Sequence, residues 1–80
     1  MSTNNADELR EMMKDNPQVS PSTFLRDDSF AAYCYDNRDI QWLEAAFNRD
    51  ADPDDCRTWN ITAAEWRVNV EMALIALNGR

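Results

Sequence analysis

Apolar residues recur along this chain at helical spacing, and prolines and capping residues divide the pattern into segments. Leu9, Met12 and Met13 stand at i, i+3 and i+4, a spacing that puts them on one face of a helix. Asn5 with Glu8 three residues later resembles a capping box, and Asp7 and Glu8 suit the positive end of the helix dipole. A helix over 6–15 follows, stopped by Asn16-Pro17 because the residue before proline disfavours helical angles. Ser20-Pro21 then pairs an N-cap with a proline at the first helical position. The segment it opens carries Phe24 and Leu25, then Phe30, Tyr33 and Cys34, and reads as helix over 21–35 with a possible break at Asp27-Asp28-Ser29. Asp36-Asn37 caps a third helix over 37–49, in which Ile40, Leu43 and Phe47 line one face and Trp42, Ala45 and Ala46 widen it.

Residues 50–61 read as the main loop, opening with Asp50-Ala51-Asp52-Pro53-Asp54-Asp55. Thr62 with Glu65 three residues on is the clearest local signal, a capping box that starts a helix over 63–78, with Gly79 just beyond. That helix is apolar on two sides. At 100° per residue, Trp66, Val70, Ala73, Leu74 and Leu77 fill one sector, while Val68, Met72 and Ile75 fill another roughly opposite. In so short a chain two apolar sides mean a central helix flanked by the others, or a helix with one side at a homodimer interface. The sequence thus predicts an all-α fold: one domain over 1–80, a small bundle of about four helices, with a flexible stretch at 1–5. A single glycine in 80 residues argues against a turn-rich β fold.

Composition narrows the function classes. Fifteen Asp and Glu against eight Lys and Arg, with no His, leave a net charge of −7. Leu, Ile, Val and Phe number fourteen of 80, short of the ~20% below which high charge suggests disorder. Three Trp, two Tyr and four Met make up the apolar mass, so a marginal folded domain is expected. The scattered basic residues supply no footprint for direct nucleic-acid binding. The same charge repels an anionic membrane surface, and no apolar run approaches the ~20 residues of a spanning helix. The first residues lack the basic and apolar regions of an export signal, so a cytoplasmic location and reduced Cys34 and Cys56 are expected.

Catalytic signatures are missing too. There is no His for acid–base work, no glycine-rich phosphate loop, and no evident base or helix N-terminus beside either cysteine. Neither an enzyme nor a cofactor is expected. Two cysteines without His or short spacing cannot assemble a zinc site. Asp50, Asp52 and Asp54 stand at positions 1, 3 and 5 of a calcium-loop pattern, but Asp55 replaces the turn glycine and Ile61 the bidentate Glu, so no metal is expected. Asn60-Ile61-Thr62 fits a glycosylation acceptor pattern, which matters only in a secreted chain.

The collective charge then carries the functional reading. A domain at −7 is steered toward basic surfaces, and proteins that handle nucleic acid are the commonest owners of such surfaces. By size, acidity and lack of catalytic groups the chain resembles the small inhibitor proteins that phages and mobile elements make against host nucleic-acid machinery, including anti-CRISPR and other DNA-mimic proteins. That resemblance is one of composition. It implies a module that occupies a basic surface of a larger protein or nucleoprotein complex as an inhibitor or regulator. Asp27, Asp28, Asp36, Asp39, Asp50, Asp52, Asp54 and Asp55 would supply the charge and Trp59 an aromatic anchor. The competing expectation is a structural or regulatory homodimer or adaptor joined through Val68, Met72 and Ile75.

Overall fold

The computed structural model describes residues 4–79 and is all-α. Most of the expected flexible stretch 1–5 lies outside the described residues. Asn5 is the N-cap of the first helix, α1 (Ala6–Asp15), its side-chain oxygen accepting from the Glu8 N–H at 2.8 Å. α1 ends where expected, with the Asn16 N–H donating to the Met12 carbonyl ahead of Pro17.

The expected helix over 21–35 is two elements. Pro21–Phe24 forms one 3-10 turn, Leu25 is extended, and α2 (Phe30–Asn37) begins after a bend. Ser29 makes that break. Its hydroxyl donates to the Arg26 carbonyl at 2.7 Å and accepts from the Ala32 N–H at 3.2 Å, closing the turn and capping α2 in one residue. The third helix also starts later than expected. Asp39, not Asp36-Asn37, caps α3 (Ile40–Phe47) by accepting from the Trp42 N–H at 2.8 Å, and Arg38 between the helices is extended.

The expected main loop, 50–61, contains a fifth helix, α4 (Pro53–Trp59). Asp52 accepts from the Asp54 N–H, Pro53 occupies the first helical position, and Asp54 and Asp55 sit at the positive end of the dipole. Asn60 closes α4 in the left-handed region at φ 53°, a conformation asparagine tolerates better than most residues. Asn60 in the acceptor tripeptide therefore has a structural role. Thr62 caps α5 (Ala63–Asn78) with both arms of the capping box formed, as the spacing predicted.

α5 packs against every other helix and the 3-10 turn. It separates two apolar clusters, which is why both of its sides are apolar. On one side Met72 and Ala76 meet Leu9 of α1, Phe24 and Leu25, with Val68 and Ile75 at the edge. On the other, Trp66, Val70 and Ala73 meet Phe30, Cys34, Leu43 and Ala46. Trp66, Phe30, Leu9, Leu25, Leu43 and Val70 are among the largest buried side chains, so aromatic and aliphatic bulk share the core. Asn69 locks α2 onto α5, accepting from the Ala31 N–H at 3.0 Å. Gly79 follows α5 at φ −80°, outside the left-handed region, with the flexible end of the Met13 side chain packed against it.

Candidate functional site

The densest polar construction in the molecule joins three helices through Arg38 and Asp55. The Arg38 guanidinium donates twice to the Asp55 carboxylate, at 3.0 and 3.2 Å, and the Trp66 indole N–H donates to the same carboxylate at 3.1 Å. Both charged side chains are largely sheltered, 19% and 14% exposed. The guanidinium also lies 4.1 Å from the centre of the Trp42 ring and 5.4 Å from those of Phe30 and Tyr33. Trp59 leans on Phe30 and Tyr33 at 5.6 and 5.4 Å. Burial works against the Asp55 charge, but the hydrogen bonds from Arg38 and Trp66 and the charge of Arg38 outweigh it and hold the carboxyl below its ordinary range. Burial likewise works against the Arg38 charge, and Asp55 more than restores it. Cys34, one helical turn before Arg38, is driven up to about 12 by burial, with Arg38 only partly opposing. A buried neutral thiol of this kind is a core residue.

This construction sorts the carboxylates expected to face a partner. Asp55 is held internally and is not available as surface charge. Asp52 and Asp39 are helix caps. Asp54 pairs with Arg57, and Asp28 with Arg26 at 3.5 Å. Asp27, Asp36 and Asp50 are exposed and form no ion pair among the described residues. The Arg38–Asp55 bridge ties the 36–39 junction to the first turn of α4. No group of three or more His, Cys, Asp or Glu among the described residues is placed to hold a metal ion.

The arginines among the described residues are engaged within the chain, whereas Lys14 is exposed and forms no ion pair among them. Arg10 bridges Asp7 and Glu71, Arg49 lies over the Trp42 ring, and Arg67 donates to the Phe47 and Arg49 carbonyls just past the C-terminus of α3. Asp27, Asp36, Asp39, Glu44 and Asp50 remain turned to solvent.

Trp59 is half-buried and forms one wall of a groove of about 480 Å³. Phe30, Ile61, Val68 and Met72 line it with Trp59, and Asp28 and Glu65 stand among its polar residues. Of the three residues expected at a dimer contact, Met72 is only 2% exposed, packed on α1 and the 3-10 turn, while Val68 and Ile75 are half-buried at that cluster's edge. The second side of α5 is thus used by the chain itself, because α1 folds back over it. Neither Arg38 as a hub nor the groove was legible beforehand: their residues are far apart in sequence, and no spacing rule links Arg38 to Asp55.

No helix among the described residues is long and apolar enough to cross a membrane. Set beside protein-family models, curated proteins and solved structures, the chain matches none.

Proposed function

We propose that this chain is a non-catalytic acidic binding module that occupies a basic, nucleic-acid-binding surface of a larger protein or nucleoprotein complex, as an inhibitor or regulator. One observation carries the reading: the arginines among the described residues are engaged by partners within the chain, while Asp27, Asp36, Asp39, Glu44 and Asp50 face solvent. Arg38 is the sheltered one of these cations, Lys14 stands exposed outside the ion pairs, and the sequence as a whole carries a net charge of −7. Such a field accelerates approach to a basic surface and falls with added salt. A basic surface that ordinarily meets phosphates has the complementary sign.

The test is capture from a lysate of the organism that carries the gene, using tagged full-length chain washed at low and high salt, with light scattering on the free protein. Recovery of a basic nucleic-acid-handling protein that washes off at high salt supports the reading. Partners that remain equally at both salt levels oppose it. Recovery of the chain alone, with a dimer mass, favours the homodimer instead.

A further inference from the structure

The groove beside Trp59 does not end at its first compartment. A shallower extension shares Asn5 and Val68 with it and continues past Ala6 to Asp7, Glu8 and Glu71. Along its floor α5 runs from Ala64 to Met72, about 12 Å at the helical rise, or roughly two turns. The floor is mixed: Phe30 and Met72 lie at the bottom, each 2% exposed, Trp59, Ile61 and Val68 are half-buried above them, and Asn69 stands between Val68 and Met72 along α5.

The walls are acidic. Asp28 and Glu65 line the first compartment and Asp7, Glu8 and Glu71 the extension, against Arg26 in the lining and Arg10 bridging two of those carboxylates. No buried polar side-chain atom among the described residues lacks a partner, so nothing in the floor awaits a small polar ligand. A second copy would bring another −7 against these walls. The apolar patch of Trp59, Ile61 and Val68 between carboxylate walls complements a helix that carries apolar residues on one face and lysine or arginine along its flanks.

We infer that this groove docks one cationic amphipathic helix of a protein partner, its apolar side chains over Trp59, Ile61 and Val68 and its flanking cations at Asp7 and Asp28, whose solvent-exposed pairs with Arg10 and Arg26 contribute little and can exchange. The inference rests on the acidic-module reading and gives that module its anchor. Burying apolar side chains in the floor slows dissociation, while the walls and the wider charge hasten approach.

Two synthetic peptides of about eighteen residues test it, one an amphipathic Leu/Lys helix and the other with the same lysines but Ser in place of Leu. Binding is measured by titration calorimetry at low salt to the full chain and to Ala64→Lys. Ala64 is exposed and lines the groove, so the variant crowds and repels the ligand without touching the core. The Leu/Lys peptide is expected to bind at least about tenfold more tightly than the Ser/Lys peptide and to lose about tenfold on Ala64→Lys, with amide shifts confined to the groove. Equal affinities for the two peptides, or binding unaffected by Ala64→Lys, overturn the groove inference and leave the acidic-module reading standing. Failure of both peptides to bind overturns both.

Discussion

Replacing Asp55 by Asn tests whether the Arg38 construction holds the fold together. Asp55 accepts three hydrogen bonds, two from Arg38 and one from Trp66, and the Arg38 and Asp55 side chains are 19% and 14% exposed. Exposed pairs contribute ~0–1 kcal/mol, whereas removing one partner of a buried pair costs ~3–5. The observed shelter lies nearer the second limit. The Asn amide keeps one acceptor and turns two N–H donors toward a guanidinium, so we expect a loss of about 3 kcal/mol, from charge-assisted bonds of ~1.5–3 kcal/mol each. An 80-residue domain has about 4–12 kcal/mol in all. The melting temperature should therefore fall by about 12–24 °C.

The pH dependence gives the sharper reading. Asp55 is held below its ordinary value of 3.8, so the folded state binds this proton less readily than the unfolded state. Its contribution is complete above the unfolded value and disappears as pH falls through the lower folded one. Urea denaturation of the parent and of Asp55→Asn, followed by circular dichroism, should show a constant difference from pH 7 to 5 that narrows below pH 4. A difference under about 1 kcal/mol at pH 7, or one that persists unchanged into acid, would refute the reasoning.

Three further outcomes follow from burial and capping. At pH 8 a thiol reagent should modify half-buried Cys56 and leave Cys34, whose thiol lies at about 12, untouched until denaturant is added; labelling of native Cys34 would contradict its burial. Met72→Glu should destabilise the chain by ~3 kcal/mol or more, because Met72 is 2% exposed between α5 and α1; urea denaturation followed by far-UV dichroism checks this, and a parent-like midpoint would contradict the burial. Thr62→Ala should cost about 1 kcal/mol in urea denaturation by removing the cap bond to Glu65 N–H, and an unchanged midpoint would show the capping box to be idle.

Local signals were legible where one residue decides a boundary. Thr62 with Glu65 and Asn5 with Glu8 located α5 and α1 because a cap and its partner lie within one turn. The same grammar was present at Asp52-Pro53, yet the run of aspartates masked α4, a helix of seven residues with no fully buried residue and hence no apolar stripe to read. The two apolar sectors of α5 were visible, but choosing between a central helix and a dimer face required knowing that α1 covers Met72. Least legible was the fate of the charges. Asp54 and Asp55 are neighbours with identical side chains, yet one pairs at the surface with Arg57 and the other is enclosed under Arg38 and Trp66, because successive helical positions point about 100° apart.

That sorting dictates how the outward charge can be tested without disturbing the fold. Substituting all the aspartates would remove the Asp55 bridge and alter the caps at Asp39 and Asp52 together with any binding surface. Asp27, Asp36 and Asp50 are exposed and outside the ion pairs, so changing each to Asn should move stability by no more than ~0.5 kcal/mol. Asp36 lies in the last turn of α2, where a negative charge opposes the helix dipole, so its neutralisation favours the fold slightly. The triple variant changes the net charge from −7 to −4. Against polylysine at low ionic strength it should associate several-fold more slowly, with a shallower salt dependence and an unchanged melting temperature. Dissociation should change little, since none of the three lines the groove. An unaltered association rate in a variant that remains folded would show that these carboxylates do not steer encounter, and would remove the electrostatic basis of the proposed function.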